Sequence, residues 1–150
     1  MVWSGNPGQA PDRTRSLPVK QFAPLLRLPF EFHCLQKEFR PGDAATLAGF
    51  PQVKTYRDAF ADFADTAALI AELDVVISVD TSVAHVAGAL GKPVWILLPW
   101  AGEWRWLLDR SDSPWYPTAT LFRQPSRGDW DGVIAAVANA LKARASSPNP

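Results

Sequence analysis

Residues 74–98 constrain the fold of this chain more than any other stretch. Val75-Val76-Ile77-Ser78-Val79 and Val94-Trp95-Ile96-Leu97-Leu98 are short runs of apolar and β-branched residues, the pattern of strands covered on both faces. Between them lie a polar turn, Asp80-Thr81-Ser82, and a row of small and apolar residues that ends at Gly91-Lys92-Pro93. Asp, Thr and Ser cap helices, Gly supplies a left-handed stop, and Pro forbids continuation. The spacing therefore predicts a strand, a turn, a helix over residues 82–90, and a second strand. In an open parallel sheet, ligands bind outside the carboxyl ends of the strands, and a helix N-terminus there offers free N–H groups to an anion.

Strands and helices alternate on either side of this unit. Short strands are expected at residues 1–3, 30–35, 53–56 and 118–123. Helices are expected at 17–28, interrupted by Pro24, at 65–73 with Asp65 as its N-cap, and at 129–142. In the last, Trp130, Val133, Ile134, Val137 and Leu141 share one side. Residues 36–49 read as a polar loop or short helix, 4–16 as an irregular loop, and 99–117 as a long aromatic loop with one helical turn near 103–108. The class is α/β, with a Rossmann-like open parallel sheet of about five or six strands. One domain is expected over residues 1–144, with 145–150 as a disordered tail.

The composition narrows the possible functions. With 47% hydrophobic and 20% charged residues the chain has a globular balance. Its formal net charge is zero, so no basic excess draws it to nucleic acid or an anionic membrane, and an anion site must be local. One cysteine, Cys34, excludes an internal disulfide, and two histidines do not make a metal cluster. No metal or cofactor is expected. A signal peptide is not evident, and no apolar run approaches ~18 residues, so the expected location is cytoplasmic, without a membrane span.

On a helix that starts near Ser82, Val83, Val86, Ala87 and Leu90 fall on one stripe, and His85 lies roughly 150° from its centre. His85 is then on the side of Thr81 and Ser82, within reach of whatever the helix N-terminus binds. The bland alternatives are a satisfied surface histidine and plain helix capping. Capping, however, needs only one of Asp80, Thr81 and Ser82. In the first loop, Arg13 and Arg15 could offer guanidinium forks to a diphosphate or be solvated charges. The loop carries neither a Walker pattern nor G-x-G-x-x-G. Four of the seven tryptophans, Trp100, Trp104, Trp106 and Trp115, fall in residues 99–117, where they could meet a ligand, a partner or the domain's own core.

Val79-Asp80-Thr81-Ser82-Val83-Ala84-His85-Val86-Ala87-Gly88-Ala89-Leu90 resembles the Asp-Thr-Gly-x-x-His-x-Ala-x-Ala-Leu signature of glycosyltransferase family 9, the heptosyltransferase group. Trp3-Ser4-Gly5-Asn6-Pro7, Asp62-Phe63-Ala64-Asp65-Thr66, Trp104-Arg105-Trp106-Leu107-Leu108 and Ser113-Pro114-Trp115-Tyr116-Pro117 resemble a subgroup still more closely. That subgroup is bacterial tetratricopeptide-repeat proteins ending in a glycosyltransferase-like domain. The resemblance implies the carboxyl-terminal, donor-binding half of a GT-B fold, with the N-terminal acceptor domain absent from this chain.

The resemblance also implies roles. Asp80, Thr81, Ser82 and His85 would bind the diphosphate of a nucleotide-sugar, with His85 catalytic and Ser82 standing where the family often has Gly. Ser4 matches the small hydroxylic position after the first strand, and Arg15 stands near a basic residue of the family. Phe63, Asp65 and Thr66 would lie near the nucleobase. The implied function is sugar transfer to a protein or glycan acceptor once this half joins an N-terminal half or a tetratricopeptide-repeat region. The base that deprotonates the acceptor would lie in that other half, so the chain would not turn over alone. A non-catalytic nucleotide- or protein-binding module is the alternative. A GT-B-related epimerase half is a third, for which no suitably paired carboxylates are evident.

Overall fold

A computed structural model describes residues 1–9, 12–101 and 103–146. Its strands are β1 (Phe32–Cys34), β2 (Val53–Thr55), β3 (Val76–Val79), β4 (Val94–Leu98) and β5 (Ala119–Arg123). Its α-helices are α1 (Asp12–Arg15), α2 (Ala23–Leu26), α3 (Asp43–Ala48), α4 (Phe63–Glu72), α5 (Ser82–Ala89) and α6 (Trp130–Ser146). β1 and β2 form a two-stranded parallel sheet, and β3, β4 and β5 a three-stranded parallel sheet with β4 in the centre. Val76 stands opposite Val94, and Val94 opposite Ala119.

Residues 1–3 lie between the two sheets and bond to both. Val2 bridges Ser78 in parallel: its N–H donates to the Ile77 carbonyl at 2.9 Å, and its carbonyl accepts from Val79 at 3.1 Å. On the other side the Leu35 N–H donates to the Met1 carbonyl at 3.0 Å. The spatial order is thus β2, β1, residues 1–3, β3, β4, β5. In chain order that is third, second, first, fourth, fifth, sixth, an order compatible with a Rossmann-like doubly wound arrangement. The order reverses between residues 1–3 and β3, and such a switch point opens a crevice at the strands' carboxyl ends.

Every residue of β3 and β4 is buried, as parallel strands covered on both faces must be. Met1, Trp3, Ile77, Val79, Trp95 and Leu97 face a core completed by Leu25, Leu26, Leu47 and the inner side of α6. Val2, Val76, Val94, Ile96 and Leu98 face the opposite core, formed with Ile70 of α4, Val83, Ala84 and Ala87 of α5, and Trp106. Alternation along each strand assigns its side chains to the two cores in turn.

Several local expectations are corrected. Asp62, not Asp65, caps α4: its carboxylate accepts from the N–H groups of Ala64 and Asp65, while the Asp65 carboxylate accepts from Asp62. This reciprocal box satisfies donors that a lone Asp65 cap would leave open. The expected helix over 17–28 is a 3-10 turn at Val19–Phe22 followed by α2, with Pro24 in the first turn of α2, where no N–H is needed. A helical turn, α1, interrupts the first loop, and its buried Asp12 pairs with Arg40 and accepts from the Ser16 hydroxyl at 2.6 Å. The buried face of α5 is Val83, Ala84, Ala87 and Gly88, rotated from the expected stripe, and Leu90 is exposed. α6 runs on through Ala145 and Ser146. Residues 147–150 of the expected tail, 10 and 11 of the first loop, and 102 of the aromatic loop lie outside the described residues.

Candidate functional site

A cleft of about 750 Å³ opens at the carboxyl ends of residues 1–3 and β3, and Ser4, Arg15, Phe63, Thr66, Asp80, Thr81, Ser82 and His85 all line it. Residues separated by up to 81 positions in the chain meet there because, at the switch point, the segments that follow the two neighbouring strands leave toward opposite faces of the sheet. Asp65 is outside the cleft lining, its carboxylate occupied by the Ala61 N–H at 2.8 Å and by the capping box. Arg13 is exposed and also outside it.

At the turn after β3, Thr81 is the N-cap of α5, yet no side chain caps this helix. The Thr81 hydroxyl instead bonds the Ser78 hydroxyl at 3.0 Å, which itself donates to the Val79 carbonyl at 2.7 Å. The first N–H groups of α5 therefore have neither an intrahelical acceptor nor a capping side chain, and they carry the positive end of the helix dipole. Plain capping does not account for Asp80, Thr81 and Ser82.

Opposite this turn, Ser4 is only 2% exposed, and its Oγ has no hydrogen-bond partner among the described residues. A buried hydroxyl left unpaired is costly unless a ligand or water completes it. The Ser4 backbone is held by Gln36, whose Oε1 accepts from Trp3 and Ser4 N–H at 3.2 Å and whose Nε2 donates to the Ser4 carbonyl at 3.1 Å. Arg15 lies against Gly5 so closely that a Cβ there would come within 2.6 Å of Nη2. Its Nη2 donates to Gln9 at 2.7 Å, and its buried Nε has no partner among the described residues. The walls also carry Lys37 and Arg105, and against them Glu38, Asp62 and Asp80. Attraction for an anion thus rests on local donors rather than on a net field.

His85 is half-buried under the aromatic loop. Its Nδ1 lies 2.9 Å from the Tyr116 hydroxyl, and its ring stacks on Trp106 at 5.4 Å between centroids. Nε2 stands 3.6 Å from Asp80 Oδ1, a charge contact rather than a well-formed hydrogen bond. Burial pushes the Asp80 carboxyl up, but the His85 and Trp106 side chains beside it, aided by the charges of His85 and Arg15, hold it below the usual carboxylate value. Asp80 is therefore an acceptor at neutral pH.

Phe63, 59% exposed, stands at the cleft rim, and Thr66 is buried with its hydroxyl on the Asp62 carbonyl at 3.3 Å. Of the four tryptophans in the aromatic loop, Trp106 joins the core, while Trp100, Trp104 and Trp115 are exposed. Sequence reasoning did not find Gln36 or Tyr116, nor the role of Trp106 as the platform under His85. Each acts across at least 21 positions of chain, and no local pattern announces such pairs.

A second cavity, of about 790 Å³, lies at the amino ends of the strands, lined by Met1, His33, Glu72, Asp74 and Arg144 among others. Its similar size does not make it the ligand site, because α/β sheets bind at the carboxyl ends and the free N–H groups of α5 lie there. Among the described residues no group of three or more His, Cys, Asp or Glu could hold a metal ion. No described helix is long and apolar enough to cross a membrane.

Residues 60–97 match the model of glycosyltransferase family 9 (heptosyltransferase). This stretch holds α4, β3, the turn, α5 and most of β4. The chain is also similar to Protein FlbA of Caulobacter vibrioides (strain ATCC 19089 / CIP 103742 / CB 15), with 37% identity over 90 residues. That alignment covers 60% of this chain and 15% of the relative, so the chain spans a small part of its relative's length. No solved structure matches the chain.

Proposed function

We propose that the cleft binds a nucleotide-diphosphate sugar and that the chain is the donor-binding half of a GT-B-type glycosyltransferase. The observation that carries this reading is the pairing of an uncapped helix N-terminus with a buried, unpartnered Ser4 hydroxyl across one crevice. The diphosphate accepts from the N–H groups of Thr81 and Ser82 and from Ser4 and Arg15, each satisfying a donor otherwise left open. The base lies toward Phe63 and Thr66, with the exposed Phe63 ring available for stacking. Asp65 supports this wall through the capping box and does not touch the base.

In transfer, the bond between the sugar's anomeric carbon and the diphosphate oxygen breaks, a bond to the acceptor oxygen forms, and the acceptor proton passes to a base. Charge grows on the leaving diphosphate, and donors already aimed at it lower the barrier. His85, with Asp80 beside it, contributes there. The acceptor and its base belong to a second, N-terminal half, and a tetratricopeptide-repeat region is a candidate to carry it. The exposed Trp100, Trp104 and Trp115 favour a second reading, a non-catalytic binding module of the same fold.

Calorimetric titration of UDP, ADP and GDP into the wild type, His85→Ala and Arg13→Ala tests the proposal. Binding of at least one nucleotide by the wild type and Arg13→Ala, weakened about tenfold in His85→Ala, supports it. No binding by any of the three proteins overturns it.

A further inference from the structure

We infer that Tyr116 is a positioning residue that holds the ring of His85 in place through Nδ1, while Asp80 decides which ring nitrogen carries the proton. The inference rests on the donor-site reading only for its functional consequence. The groups facing the imidazole are Asp80 at Nε2, the Tyr116 hydroxyl at Nδ1, and the Trp106 ring beneath it. The Asp80 carboxylate, held in its ionised form, can only accept. A neutral His85 in this setting carries its proton on Nε2, which leaves Nδ1 as an acceptor for the Tyr116 O–H.

The Asp80 contact, at 3.6 Å, is too long to fix the ring by itself. The Tyr116 bond, at 2.9 Å, is the short one. Tyr116 in turn is held by the helix it serves: a Cβ on Gly88 would come within 2.4 Å of Tyr116 Cγ. The ring thus lies directly on the α5 backbone, one turn after His85. Gly88 is the gap that lets Tyr116 reach Nδ1, and stacking on Trp106 sets the plane of the imidazole.

The test is long-range ¹H–¹⁵N NMR of the imidazoles in the wild type and Tyr116→Phe, with nucleotide affinity measured in both and in His85→Ala and the double variant. Phe keeps the ring that packs on Gly88 and Trp106, so only the hydroxyl is lost. With His85 neutral, both proteins carry the proton on Nε2, and the Nδ1 resonance of Tyr116→Phe moves to that of an acceptor with no hydrogen bond. UDP or ADP affinity falls about threefold to tenfold in Tyr116→Phe, and the same change made on His85→Ala adds no further loss. An Nδ1 resonance unchanged in Tyr116→Phe overturns the inference, as does an equal loss of affinity in the two backgrounds. A shifted Nδ1 resonance in Tyr116→Phe, with nucleotide binding absent from every variant and from the wild type, upholds the positioning role and overturns the donor-site reading.

Discussion

Replacing Gly88 by Ala probes the packing that supports the candidate site. In an isolated helix the change gains about 1 kcal/mol of propensity. Here the added Cβ would stand 2.4, 2.6 and 2.9 Å from the Cγ, Cδ1 and Cδ2 atoms of Tyr116. These atoms are at the root of the ring, so a small rotation does not relieve them and the ring must withdraw. Overpacking of this kind costs about 1–3 kcal/mol, which leaves a net destabilisation of about 0–2 kcal/mol once the propensity gain is subtracted. The melting temperature should fall by about 2–4 °C per kcal/mol in a chain of this size. Withdrawal of Tyr116 also breaks its bond to His85, worth about 1 kcal/mol, so nucleotide affinity should drop about fivefold. Differential scanning calorimetry and isothermal titration with UDP and ADP read the two effects. A variant more stable than the wild type, with unchanged affinity, would refute the reasoning and show that the Gly88–Tyr116 contact does not position His85.

The other predictions concern separate parts of the cleft. Arg15→Ala should weaken nucleoside diphosphate binding about tenfold or more, the usual loss for a charge-assisted bond, while Arg13→Ala leaves the titration unchanged. Phe63→Ala should lower affinity about tenfold through lost base stacking without altering thermal stability, since the ring is exposed. Asp62→Ala removes the cap of α4 and should cost about 1 kcal/mol, read as a lower melting temperature. Asp80 is held below its unfolded value, so its ionised form contributes stability above about pH 4, lost as pH falls through the depressed folded value. Urea unfolding between pH 7 and pH 3 should therefore show Asp80→Asn less stable than the wild type at neutral pH, with the difference closing in acid.

Legibility in the sequence followed the range of the interactions. The turn at Asp80, Thr81 and Ser82 could be read because strand, cap, helix and stop are local signals, and β3, α5 and β4 lie within a residue or two of their expected bounds. The α4 cap was missed by three residues because Asp62 and Asp65 are both good caps, and only their reciprocal bonding decides between them. The α5 face was rotated because Ala84 and Gly88 carry little hydrophobic signal, although their small size is what admits neighbouring packing. The Tyr116 and Gln36 partnerships had no local signature. His85 meets a tyrosine 31 residues on, and Ser4 meets a glutamine 32 residues on, contacts that exist only after the sheet order is set. Residues 1–3 looked too short for a comfortable strand, yet they sit between the two sheets and form one wall of the switch point.

The claim that a diphosphate seats on the turn after β3 is tested most directly by backbone amide NMR during titration with UDP and ADP. The account predicts that the largest ¹H–¹⁵N shifts fall on Thr81, Ser82 and Val83, with Ser4 and Gly5 next, and that His85→Ala reduces them at equal nucleotide concentration. Shifts confined to the cavity at the amino ends of the strands, or no shifts with either nucleotide, would contradict it.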